Sequence, residues 1–143
     1  MILNIHTDGA ARGNPGEGGI GATIEYGNGK RHYKSYIGKT TNNEAEYSAL
    51  LFVLEKAREL ILEQSLEIER IVCYSDSELL VRQLTGKYKV KNGQLAQLFV
   101  KVWNVSRQLP KVEYRHIARE KNKEADKLAN EAIDEAKVYA PIV

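Results

Sequence analysis

Cysteine, proline, histidine and tryptophan are all scarce in this chain. Among 143 residues there is one cysteine, Cys73. That excludes an internal disulfide and a zinc cage built from cysteines. Three prolines and no repeat or low-complexity tract leave nothing that reads as a linker, so residues 1–143 are expected to form a single domain. No apolar run approaches the ~18 residues that cross a bilayer. The start, Met1-Ile2-Leu3-Asn4-Ile5-His6-Thr7-Asp8, lacks the basic head and long apolar stretch of a secretory signal. A cytoplasmic protein with no membrane association is the expectation.

What is present suits a folded domain: 43% hydrophobic and 28% charged residues can build a core, and the net charge is only +2. The charge is unevenly spread. Residues 86–123 hold ten Lys and Arg against two Asp and Glu, whereas the flanking segments are each net acidic. A basic block in a near-neutral chain suits a polyanionic partner; a solvated lysine-rich helix is the plainer alternative.

Hydrophobic periodicity orders the elements. Residues 2–8 read as a buried strand, and the glycine-rich stretch 9–19 as a loop. Strands are predicted over 20–26 and 31–37, joined by the hairpin signal Gly27-Asn28-Gly29. Thr41-Asn42-Asn43-Glu44 fits a capping box, and a helix follows to about Leu62 with Ala45, Ala49, Leu50, Val53, Ala57, Leu60 and Ile61 as its apolar stripe. Then come a strand at 68–74, a short helix at 77–84, a helix at 93–108 stopped by Pro110, a strand at 112–117 and a helix at 122–136. The order β-β-β-α-β-α-α-β-α predicts an α/β fold: an antiparallel 1-2-3 meander plus parallel strands in one five-stranded mixed sheet, with helices on both faces. The tail 137–143 is expected as an edge strand or a frayed end, with Pro141 disfavouring a central strand.

Four acids stand out by position. Asp8 ends the first strand and Asp76 the fourth. If those strands are parallel neighbours, the two carboxylates share the sheet edge where ligands gather, about 5–7 Å apart. Asp76 could equally cap the next helix, and Asp8 could be a turn residue before Gly9. Glu44 belongs to the capping box, but Glu46 heads the buried stripe, where an unpaired carboxylate is costly. Asp126 sits in the first turn of the last helix, a position the helix dipole also favours. Carboxylates gathered in a partly dry site repel one another, and hard oxygen donors without a His or Cys cluster suit Mg²⁺ or Mn²⁺. Two such ions about 4 Å apart serve in-line displacement at phosphodiesters. Acids, metal and basic block together point to a nuclease.

Thr7-Asp8-Gly9 with Gly13-Asn14-Pro15-Gly16, Thr41-Asn42-Asn43-Glu44-Ala45-Glu46, Ser75-Asp76-Ser77 and Arg119-Glu120-Lys121-Asn122-Lys123-Glu124-Ala125-Asp126 resemble, in order, the motifs of type 1 ribonuclease H. The resemblance spans residues 7 to 126 and implies that family's five-stranded fold. It also implies cleavage of the RNA strand of RNA–DNA hybrids, a site for two metal ions at Asp8, Glu46, Asp76 and Asp126, and no small-molecule cofactor. Asn14, Asn42 and Asn43 match positions that contact the hybrid's backbone and sugars, and Thr41 a position at a DNA-strand phosphate pocket. A monomer is expected.

Three departures from the family pattern matter. Many members carry a mobile histidine before the last aspartate; here His116 falls inside the strand and reads as structural, leaving Arg119 in the loop as the cation beside the scissile phosphate. Glu78 stands where many members have glutamine near the ribose. The basic helical protrusion is missing, and Lys87, Lys89 and Lys91, flanking Tyr88, are the candidates to grip the DNA strand. Trp103, a lone tryptophan on a helix, reads as core, with base stacking as the alternative. His6, His32 and Cys73 read as structural. A hybrid-binding module without catalysis, and another nuclease on the same scaffold such as a junction resolvase or transposase core, are the competing readings. The full set of acids and the Thr-Asn-Asn-x-x-Glu spacing disfavour them.

Overall fold

A computed structural model describes the backbone of residues 1–139 and the side chains through Ala136. The elements are β1 (Ile2–Gly13), β2 (Gly16–Tyr26), β3 (Gly29–Thr40), α1 (Asn42–Gln64), β4 (Arg70–Ser75), α2 (Glu78–Leu84), α3 (Gly93–Ser106), β5 (Lys111–His116) and α4 (Lys123–Tyr139), with a 3-10 turn at Arg119–Lys121. They build one sheet in the order β3-β2-β1-β4-β5. β1–β2 and β2–β3 pair antiparallel, β1–β4 and β4–β5 parallel, so the expected mixed sheet is present.

Neighbouring residues of a strand point to opposite faces. Leu3, Ile5, Ala22 and Ile24 turn to one side, into a core with Tyr47, Leu50, Val53, Leu54, Ala57 and Leu60 of α1 and Leu95 and Val102 of α3. Gly19 and Gly21 of β2 face the other side and lie directly under α4, whose Ala125 and Ala129 are fully buried. The helices therefore cover both faces. Thr41 caps α1, its Oγ1 accepting from the Glu44 N–H at 3.2 Å.

Residues 9–19, expected as a loop, are mostly strand. The β1–β2 ladder continues through Gly9↔Ile20, Ala10↔Gly19 and Ala11↔Gly18, and only Asn14 and Pro15 form the turn. Gly13, at φ 103°, supplies the left-handed backbone of the turn, whereas Gly9 and Gly19 serve close approach. A Cβ on Gly9 would lie 2.2 Å from the backbone of Ala45, and Cβ atoms on Gly19 and Gly21 would lie 2.3 and 2.2 Å from the carbonyl oxygens of Ala129 and Ala125. No shift of a flexible side chain relieves a collision with helix backbone.

Other boundaries move modestly: β4 starts at Arg70 rather than 68, and α3 ends at Ser106 rather than 108. Helix α4 continues to Tyr139, so the first residues of the expected tail are helical, and residues 140–143 lie outside the described residues. Trp103 is not core. It stands one position past the buried Val102 stripe of α3, is 52% exposed, and carries the Arg107 guanidinium 5.1 Å above its ring. Among the described residues no helix is long and apolar enough to cross a membrane.

Gly21→Ala is expected to destabilise the fold by about 3 kcal/mol, at the severe end for an added methyl, because the first turn of α4 must lift off the sheet. A urea denaturation midpoint compared with wild type measures it.

Candidate active site

Parallel register carries Thr7 beside Ser75, so Asp8 and Asp76 follow side by side at the carboxyl ends of β1 and β4. Helix α1 brings Glu46 over that edge. The approach depends on Gly9, whose missing side chain admits α1 and whose N–H donates to Glu46 Oε1. One carboxylate oxygen from each of Asp8, Glu46 and Asp76 lies within 4.8 Å of the others. Asp8 is 6% and Glu46 8% exposed. Asp126, in the first turn of α4, stands outside this tight trio but lines the same cleft.

The cleft, about 350 Å³, is floored by Gly9, Ala10 and Ala11 and walled by Asn42, Asn43, Ser77 and Arg119 together with the four acids. Its electrostatics are strained without a counter-ion. Burial pushes the Asp8 carboxyl well above the usual carboxylate range, and the charge and hydrogen bond of Glu46 push it further, with Asp76 and Asp126 adding to the effect. Burial also raises Glu46, against the hydrogen bonds from Asp8 and the Gly9 N–H and the nearby Arg119 charge, which pull it down.

Helix capping does not account for Asp76. Ser77 is the cap of α2, its Oγ accepting from the Leu80 N–H at 3.2 Å, while Ser75 Oγ accepts from the Ser77 N–H at 3.1 Å. Asp76 instead receives a hydrogen bond from Asn122 Nδ2 at 3.4 Å. Asn122, named in the sequence motif but given no role there, is 1% exposed. Its Nδ2 also donates to the Thr7 carbonyl at 2.9 Å, its N–H to the Arg119 carbonyl at 2.9 Å, and its own carbonyl accepts from the Asp126 N–H at 3.1 Å. One buried amide thus ties together the segments carrying Asp8, Asp76, Arg119 and Asp126. Its place at the start of the last expected helix was the only signal for it in the sequence.

The other expected residues divide. Asn42 and Asn43 line the cleft, and Asn14 reaches it through its Oδ1, which accepts from the Asn42 N–H at 3.1 Å. Thr41 is occupied at its oxygen by the cap of α1. Lys87, Lys89 and Lys91 are exposed on the segment between α2 and α3 and do not line the cleft. Glu78 is paired with Arg82 at 2.7 Å. His116 ends β5, exposed and outside the cleft, whereas Arg119 is in it.

A mixed sheet in this order, with carboxylates converging at the edge of its parallel pair, defines the ribonuclease H-like class of fold. The family model described as reverse transcriptase-like matches residues 6–132. LC11-RNase H1, solved in complex with an RNA/DNA hybrid, superposes with a TM-score of 0.87 at 43% identity, over 94% of this chain and 99% of that one. Ribonuclease H of Chlorobaculum parvum is 33% identical over 148 residues, spanning 93% of this chain and 96% of that protein. The chain belongs to the type 1 ribonuclease H family. It is also 36% identical over 139 residues to the bifunctional protein Rv2228c of Mycobacterium tuberculosis, of which it spans only 36%.

The raised carboxyls have a consequence for stability. Where a folded-state acid pKa lies above its unfolded value, the native state holds the proton more tightly. Stability then falls as pH rises from about 4, the unfolded value, through the raised pKa. In metal-free buffer the protein is expected to lose stability between pH 5 and pH 8. Asp8→Asn should flatten that slope and add about 1 kcal/mol at pH 8. Urea titrations in chelator at the two pH values check both statements.

Proposed function

We propose that this chain is a metal-dependent endoribonuclease that hydrolyses the RNA strand of RNA–DNA hybrids, leaving 5′-phosphate and 3′-hydroxyl ends. The observation that supports this most is the meeting of Asp8, Glu46 and Asp76 oxygens within 4.8 Å at the sheet edge. The donor set fits Mg²⁺ or Mn²⁺, being all carboxylate oxygen, with Asp8 and Glu46 buried and Asp76 half-buried. Asp8 and Asp76 would anchor two ions, with Glu46 and Asp126 each completing the shell of one. When bound, such a pair activates a water and steadies the leaving oxygen of an in-line displacement.

The chain's own groups do the rest. The amides of Asn14, Asn42 and Asn43 read ribose hydroxyls and phosphates, which gives hybrid selection without base-sequence selection. Thr41 keeps its hydroxyl proton to donate to a DNA-strand phosphate, since its oxygen already accepts from Glu44. Arg119 carries permanent charge into the cleft, so it draws the scissile phosphate or eases product away and does not relay protons. Lys87, Lys89 and Lys91 attract phosphates farther along the DNA strand.

A cleavage panel tests this reading: labelled hybrid, RNA duplex, DNA duplex and DNA with a single ribonucleotide, each with Mg²⁺ and with Mn²⁺. Cutting of the hybrid's RNA strand, abolished by chelator, is expected. Asp8→Asn should lower turnover about 10³-fold, roughly 4 kcal/mol of barrier. Hybrid bound but uncut in both metals, or substantial turnover by Asp8→Asn, overturns the assignment. Replacing Lys87, Lys89 and Lys91 together by alanine should raise KM about tenfold with kcat unchanged and flatten the salt dependence of binding. Steady-state kinetics at two salt concentrations separates those effects.

A further inference from the structure

Of the four carboxylates Asp126 alone is exposed. An aspartate on the first turn of a helix has several open rotamers, and one that must face the cleft shared with Asp8 needs something to choose among them. Asn130, one turn further along α4, does so. Its Nδ2 donates to Asp126 Oδ1 at 3.3 Å and to the Asp126 carbonyl at 3.0 Å. An asparagine amide can present either its donor or its acceptor end, and only the donor end suits a carboxylate.

Arg12 settles which end is presented. Its Nη2 donates to Asn130 Oδ1 at 3.2 Å and to the Asn130 carbonyl at 3.4 Å, while Nη1 is held by Asp134 Oδ1 at 2.6 Å. A guanidinium has donors only, so it can meet only the oxygen of the amide, which leaves Nδ2 turned to Asp126. Arg12 lies near the end of β1, two residues before Asn14, and neither Arg12 nor Asn130 lines the cleft. The chain Asp134–Arg12–Asn130–Asp126 therefore joins the end of β1, two residues before Asn14, to the fourth acid of the site.

We propose that Arg12 and Asn130 are positioning residues: Arg12 orients the Asn130 amide, and Asn130 in turn holds the Asp126 carboxylate toward Asp8 for cation binding. The proposal rests on the metal-dependent reading of the cleft. A role confined to pinning α4 against the β1–β2 hairpin is the competing explanation, and it makes different predictions for ion affinity.

The experiment compares wild type, Asn130→Ala, Arg12→Ala, Arg12→Lys and the Arg12→Ala/Asn130→Ala double variant by calorimetric Mn²⁺ titration, thermal melting and hybrid-cleavage kinetics. Asn130→Ala should weaken Mn²⁺ binding and lower kcat about tenfold, as loss of a group orienting a metal ligand does, with hybrid KM within twofold. Arg12→Ala should act in the same direction, and the double variant should be no worse than Asn130→Ala, because both deletions break one chain. Arg12→Lys keeps the charge opposite Asp134 but loses the fork, so its melting temperature should recover more than its Mn²⁺ affinity. Unchanged Mn²⁺ affinity in Asn130→Ala, or losses that add in the double variant and follow only the melting temperature, overturn the proposal. Failure of the nuclease reading shows separately, as wild type that binds Mn²⁺ and leaves the hybrid intact.

Discussion

Holding like charges together in a nearly dry place is what the rest of this molecule is organised around. Asp8 and Glu46 are both buried, Glu46 makes Asp8 harder to charge, and Asp76 adds a third carboxylate within reach. Left to themselves these side chains would part or stay protonated. They do not part, because their backbones are fixed by interactions unrelated to charge; without a cation they hold protons more tightly instead. β1 and β4 are locked in parallel register beneath a core of fully buried residues from β1, β2 and α1, and Glu46 sits on the same helix face as Leu50 and Val53. Hydrophobic burial thus sustains an arrangement that electrostatics opposes, which is the usual form of stability–function conflict at a site.

Glycine is the second condition. Helices normally stand about 10 Å from a sheet, at a separation set by side chains; here α1 at Gly9 and α4 at Gly19 and Gly21 come down to backbone contact. Gly21 is the register partner of Asp8, so the strand position opposite the central acid is the one emptied to let the first turn of α4 approach. The two helices carry Glu46 and Asp126. The same absence of side chains that allows the cleft to close therefore also decides which helix residues enter it.

This explains what could and could not be read from the sequence. Asp8 and Asp76 were legible because each ends an apolar strand, and the site lies where α/β sheets gather ligands. Glu46 was legible because a carboxylate interrupts an apolar stripe. The run 9–19 was misread because strand prediction relies on alternating side chains, and glycines chosen for close approach erase that alternation. Trp103 was misread because a one-residue step around a helix, about 100°, separates a buried Val102 from an exposed neighbour. Asn122 could not be assigned at all: its partners, Thr7 and Asp76, are 115 and 46 residues away, and only folding brings them together.

The acids are not held with equal firmness. Asp8, Glu46 and Asp76 hang from a strand, from the packed start of a long helix and from a residue tied to a buried amide. Asp126 stands at the rim, exposed, kept in place by polar side chains that are themselves half in water. Hydrogen bonds in such surroundings contribute little to stability, and their value lies in choosing one rotamer among several. A cleft built this way has a rigid inner wall set by hydrophobic packing and an outer carboxylate set by a short polar chain from the end of β1. Since that strand leads into the turn carrying Asn14, a duplex bound as proposed would press on the strand that orients the outer acid. Under the proposed function, substrate contact at Asn14 and completion of a cation site by Asp126 would be mechanically adjacent, since Arg12 and Asn14 are two positions apart.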